Sequence, residues 1–186
     1  MAVQVVPRRF SVEEYHLMAR AGILREDDRV ELLEGEIGEM APIGSRHAAC
    51  VDRLTRVLSE GLARRAIVRV QGPIRLGEHS EPQPDITLLR PQADFYADST
   101  PGPEAVLLLI EVAETTQEYD RQVKVPLYAR WGVPEVWLVD LQGRSIQAYQ
   151  DPAPEGYREV RTAEPGQPLT PRAFPDLRLT VEDVIP

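Results

Sequence analysis

The chain of 186 residues has one lysine, one cysteine and no asparagine. Each shortage excludes something. The single cysteine, Cys50, can form neither an internal disulfide nor a cysteine-built zinc site. No apolar run approaches the ~20 residues of a membrane span. The opening MAVQVVPRRF lacks the apolar core of a secretion signal. Together these shortages point to the cytoplasm. Positive charge is also scarce, and the formal net charge is −9. Proteins that coat nucleic acid are usually basic. Any nucleic-acid contact here must therefore be local, through arginine patches or a bound cation. The acidity can equally serve solubility alone. The absent asparagine, with 17 prolines and 3 methionines, matches a heat-adapted (thermophile) composition; a GC-rich genome would give much the same bias.

What is present reads as one soluble domain over residues 1–186. Hydrophobic residues are 42% and charged residues 27%, as in ordinary globular chains. Lys124 is the one lysine among 21 basic residues. A chain that otherwise uses arginine has either kept one surface lysine by chance or needs a compact ammonium with rotatable donors.

The stretch from Val106 to Asp140 organises the chain. Two apolar runs, Val106 to Val112 and Glu135 to Asp140, flank an amphipathic segment of helical length. That pattern predicts a parallel strand–helix–strand unit with a right-handed crossover. Pro126 removes one hydrogen bond from the helix and should kink it. Earlier, Ser11 and Glu14 form a capping box for a helix ending before Gly22. Residues 29–33 and 36–40 read as a hairpin around Glu34-Gly35. Ser45 reads as the cap of a helix over about 46–64, with His47, Val51, Leu54, Leu58 and Leu62 on one face. His47 is either a half-buried structural residue or one bonded to a carboxylate or phosphate beside a site. Strands follow at 67–71 and 86–89, with irregular polar segments at 77–84 and 91–103. Residues 145–149 and 157–161 suggest a second hairpin around residues 151–156. Thr180 and Asp183 can cap a last helical turn.

Asp85 opens one strand and Glu111 stands where the next apolar run stops. Were these strands antiparallel neighbours, the two carboxylates would meet at one sheet edge. Two carboxylates and a carbonyl make a hard oxygen site suited to magnesium or manganese. Lys124, about two turns into the crossover helix, can reach back to them. That set suits attack of water on a phosphodiester. If Lys124 stands on an exposed face, Lys124→Arg should leave folding almost unchanged.

Pro84-Asp85 followed by Glu111-Val112-Ala113 resembles the P-D…(D/E)-X-K signature of restriction-endonuclease-like nucleases. Several segments are similar to the Uma-two family of putative restriction endonucleases. They include residues 30–37, His47, Pro84-Asp85-Ile86, Ile110-Glu111-Val112, Asp120 to Lys124, Tyr128-Ala129 and Gly132 to Asp140. The similarity spans about Phe10 to Tyr149. Ala113 stands where the general motif has lysine, which points to Lys124 as the displaced lysine. The resemblance implies an α/β fold with a mixed central sheet flanked by helices and extra C-terminal strands. It implies Asp85, Glu111 and the Val112 carbonyl as ligands of Mg2+ (or Mn2+), Lys124 as the transition-state residue, and DNA as the partner. Glu31 is either an outer carboxylate of the site or a hairpin salt bridge. Asp120, one turn before Lys124, would orient it. A metal-dependent DNA endonuclease, possible as a homodimer, is the leading expectation. A non-catalytic nucleic-acid-binding or assembly module derived from that fold is the alternative, favoured by the acidity and Ala113.

Overall fold

The computed structural model describes residues 6–186 apart from Glu26; part of the N-terminal stretch read for a secretion signal lies outside them. Ser11 Oγ accepts from the Glu14 amide at 3.1 Å, and the Glu14 carboxylate accepts from the Ser11 amide at 3.0 Å. The predicted capping box thus starts helix α1 (Val12–Arg20). Strands β1 (Val30–Leu33) and β2 (Glu36–Glu39) pair antiparallel. Glu34 and Gly35 turn between them with positive φ of 49° and 81°, as a tight two-residue hairpin requires. Helix α2 (Ser45–Leu62) differs from expectation at its start. Its N-cap is Gly44, in extended conformation, and Ser45 is already helical, so no side chain caps it. The apolar face is as predicted, with Val51, Leu54, Leu58 and Leu62 buried.

Six strands form the central sheet: β3 (Ile67–Val70), β4 (Ile86–Leu89), β5 (Val106–Ala113), β6 (Glu135–Asp140), β7 (Ser145–Ala153) and β8 (Gly156–Ala163). They lie side by side in that order. β4 pairs antiparallel with β5, and β5 pairs parallel with β6 from Leu109↔Val136 to Ala113↔Asp140. A parallel pair needs a crossover. Here it is a short α3 (Gln117–Tyr119), a π turn (Asp120–Lys124) and α4 (Val125–Arg130). The irregularity expected as a proline kink is therefore a π turn. Pro126 sits in the first turn of α4, where a missing N–H is tolerated.

The second hairpin is longer than the sequence suggests. Pro152 lies inside β7 opposite Tyr157. The β6–β7 ladder ends at Glu135↔Gln150, so the absent Pro152 N–H breaks no bond to β6. The C-terminal residues add β9 (Pro168–Leu169), β10 (Leu179–Thr180) and α5 (Val181–Val184), the last with the predicted Thr180–Asp183 capping box.

Alternation along β5 splits the core into two layers. Leu108, Ile110 and Val112 pack with Leu54, Leu58 and Trp137 on the α2 side, joined by Val181 and Val184 of α5. Leu109 and Ala113 pack with Leu127, Tyr128 and Leu138 on the crossover side. Glu111 has the parity of Leu109 and Ala113, so the sheet delivers a carboxylate into the layer between β5 and the crossover helix.

Candidate active site

The β4–β5 register aligns Ile86 with Ile110, so Asp85 and Glu111 stand at the same end of neighbouring strands. The Val112 amide donates to Asp85 Oδ2 at 2.9 Å. His47, in the first turn of α2, holds the same oxygen through Nε2 at 3.0 Å. The Gln71 side-chain amide reaches Asp85 Oδ1 at 3.4 Å. The sequence left His47 open between two readings; the structure shows it half-buried and bonded to a carboxylate, a feature of each. That hydrogen bond to Asp85 raises the imidazole pKa against the opposing effect of burial. His47 Nδ1 is buried and has no partner among the described residues.

Glu111 is 3% exposed. Its Oε1 accepts from Lys124 Nζ at 3.3 Å and from the Tyr128 hydroxyl at 2.6 Å. Lys124 Nζ also lies 3.0 Å from Glu31 Oε1. Glu31 Oε2 accepts from the Gln83 amide at 3.2 Å. Of the two readings left open for Glu31, the hairpin salt bridge is not the one formed among the described residues; its partner is Lys124, across the seam between β1 and the crossover helix. Lys124 is 7% exposed, which overturns the expectation of a surface lysine that arginine could replace without cost to folding. Asp120 also differs. Its Oδ2 accepts from Thr116 Oγ1 at 2.7 Å, while the ion pairs of Lys124 are with Glu31 and Glu111. Asp120 lines the same cleft as Lys124 and acts on it through charge rather than through an ion pair.

Burial dominates the electrostatics. It pushes Glu111 up to about 8 against the pull of Lys124, with Asp120, Asp85 and Glu31 adding to the rise. Burial alone would lower Lys124, but Glu111, Glu31 and Asp120 together hold it above its ordinary value. The ammonium therefore keeps its proton, and burial, with a smaller push from the neighbouring carboxylates, sets Glu111 high. Burial also raises Asp120 and, most strongly, Tyr128.

These groups open onto a cleft of about 610 Å³, within the range of ligand sites. Six acids line it (Glu31, Glu39, Asp85, Glu111, Glu114 and Asp120), against Arg29 and Lys124 as obligate cations. Such a cleft repels a phosphodiester and attracts a cation. Among the described residues no group of three or more His, Cys, Asp or Glu is arranged to hold a metal ion. Magnesium, however, is commonly held by one or two carboxylates and several waters. Both hydrogen bonds to Glu111 fall on Oε1, so a carboxylate pair with coordination capacity remains at the β4–β5 edge. The donor chemistry fits a hard divalent ion.

Several residues that touch the site's carboxylates or line its cleft were not visible as site residues in the sequence. Tyr128 carries the clearest signal, four positions after Lys124 on a helix. Gln71 and Gln83 have none, because strand pairing alone brings them in. Glu114 lies against the start of α2: a Cβ on Gly44 would stand 2.8 Å from Glu114 Oε2. That closeness is a tertiary fact.

A model of the Uma2 family, described as putative restriction endonuclease, matches residues 12–182. Among solved structures, a protein from Anabaena variabilis described as a putative nuclease belonging to DUF820 superposes with a TM-score of 0.72. The two are 17% identical over 94% of this chain and 97% of that one, a likeness that shows a shared fold. No curated protein matches the chain.

Proposed function

The chain belongs to the Uma2 family of putative restriction endonucleases, and on that premise we propose that it is a metal-dependent endonuclease hydrolysing phosphodiester bonds of DNA. The observation that carries this reading is the buried Glu31–Lys124–Glu111 cluster beside Asp85 at the floor of an acid-lined cleft. Asp85 and Glu111, with the Val112 carbonyl, would hold Mg2+ or Mn2+. When bound, such an ion polarises a phosphoryl oxygen and lowers the pKa of a coordinated water. His47 and the Val112 amide fix Asp85 from one side. Tyr128 fixes Glu111 from the other. Glu31 keeps Lys124 protonated and aimed, and the ammonium positions the attacking water and meets the charge that develops on phosphate.

A duplex presents two strands, and a two-fold dimer, the commonest oligomer, would place one site on each. The homodimer is part of the proposal; light scattering at micromolar protein should give twice the chain mass, and a monomer under those conditions counts against it.

A second reading is supported by Ala113, which stands where the superfamily lysine is expected, and by the net charge of −9. It makes the chain a non-catalytic nucleic-acid-binding or assembly module. One assay separates the two. Supercoiled, branched and single-stranded DNA are incubated with Mg2+ or Mn2+ and with EDTA. The nuclease reading expects metal-dependent cleavage that Asp85→Asn abolishes. No cleavage of any substrate, with no ion bound in calorimetry, supports the module.

A further inference from the structure

We propose that a second cleft, at the far end of the seam between β1 and the crossover helix, seats a nucleobase flanking the phosphate cut at the first. The inference deepens the nuclease reading and rests on it for the choice of nucleic acid.

The two clefts are joined by one structural seam. Glu31 and Lys124 pair at its first end, 3.0 Å apart, and Glu34 and Arg130 pair at its second, 2.8 Å apart. Three residues of strand advance roughly 10 Å, and six residues of helix advance about 9 Å. The strand and helix therefore run side by side in the same direction. Trp131 follows Arg130 directly and borders a cleft of about 490 Å³ with Arg9, Glu34, Glu78 and His79. A nucleotide one or two positions along a bound strand lies at about this distance from the reacting phosphate.

The chemistry of the cleft selects a base over a phosphate. Trp131 is 43% exposed, whereas the other tryptophan, Trp137, is fully buried. The six-membered ring of Trp131 lies against the backbone of Gly77. A Cβ there would stand 2.2 Å from Trp131 Cη2, and Gly77 has φ +73°. Glycine thus supports the indole from beneath and leaves the rest of the ring open. Exposed indoles are effective stacking platforms for any base. Glu34 and Glu78 oppose a phosphate but can accept hydrogen bonds from base N–H groups, thymine N3–H among them. Arg9 supplies donors on the same wall.

The wall is also preorganised, which reduces the ordering cost of binding. His79 Nδ1 is bonded to the Phe10 carbonyl at 2.9 Å. The Glu34 amide donates to Ser80 Oγ at 2.8 Å. The Gly35 amide donates to the His79 carbonyl at 2.7 Å, and the Phe10 amide donates to the Gly35 carbonyl at 2.9 Å. Arg9 also donates to the Glu34 carbonyl. Three separate chain segments are locked together around the opening.

The test uses Trp131 as its own reporter. Thymidine tetranucleotide is titrated into the full chain with calcium in place of magnesium, and tryptophan emission is read. An abasic tetramer with the same phosphates is the control. The expected result is quenching by the thymidine oligomer and none by the abasic one, with buried Trp137 supplying a constant background. In the variants, which lack the reporter, binding is read by fluorescence anisotropy of a 5′-labelled oligomer, and Trp131→Leu should weaken binding of the thymidine oligomer roughly five- to hundred-fold, the range for loss of one stacked base. Trp131→Phe, which keeps a ring on Gly77, serves if the leucine variant melts early, and should recover most of the affinity. Equal quenching by the abasic oligomer, no quenching by either, or wild-type affinity in Trp131→Leu would overturn the proposal. Base-dependent quenching by a protein that cleaves no DNA would instead remove the nuclease reading and leave the base site standing.

Discussion

Lys124 is the residue on which the site depends for both folding and chemistry. It is paired with two acids, Glu31 and Glu111, in a nearly dry position. Removing one partner of a buried ion pair costs ~3–5 kcal/mol, because uncompensated charge remains. Lys124→Met should therefore lower unfolding free energy by about that amount in urea titrations. Adding Glu31→Gln should restore part of it; a silent Lys124→Met would mean the pair is not buried in solution. Lys124→Arg keeps the charge but brings a larger planar fork. It should lose roughly 10²–10³-fold in cleavage rate, the range for a transition-state donor. Cys50 gives a pH-dependent prediction. Burial raises its thiol from 9.0 to about 12. Between those values the unfolded chain releases a proton that the folded chain retains, so this group's contribution to stability falls as pH rises from 9 towards 12. At pH 9 the native thiol should resist iodoacetamide and the urea-unfolded thiol should react within minutes. Rapid native alkylation would place Cys50 outside the core.

At the scale of elements, Glu135 ties the C-terminal residues to the sheet. It is fully buried and accepts from Trp137 Nε1 at 2.8 Å, Gln150 Nε2 at 2.8 Å and the Arg172 amide at 2.7 Å. Glu135→Ala leaves the buried Trp137 donor unpaired, at about 1–3 kcal/mol, and releases the Gln150 and Arg172 donors. Limited proteolysis of that variant should cut first near Arg172; an unchanged digestion pattern would show that the apolar contacts of Phe174 and Leu179 suffice. The same scale explains what the sequence made legible. The strand–helix–strand unit was readable because buried parallel strands are continuous apolar runs, and the α1 cap because its signal lies within four residues. The placement of Asp85 beside Glu111 followed from strand order alone. The burial of Lys124 did not, since it depends on β1 lying alongside the crossover helix, and no local pattern encodes that contact. The π turn escaped for a related reason: Pro126 signals irregularity but not its form.

For the whole molecule, net charge and site composition act together. With a net charge of −9 and six acids around the cleft, the free protein should bind DNA weakly. Nucleic-acid affinity usually comes from basic residues. A divalent ion held by Asp85 and Glu111 would offset much of that local negative field and offer phosphate a ligand position. Gel-shift titrations should therefore show little binding in EDTA and clear binding with calcium. Equal affinity in both would indicate a surface that does not need the cleft.

The most direct measurement is anomalous scattering from crystals soaked in manganese. The account predicts one strong peak per chain, within coordination distance of Asp85 and Glu111 carboxylate oxygens and beside the Lys124 ammonium, lost in Asp85→Asn. An ordered site without a peak at saturating manganese, or a peak held by other residues, would contradict it.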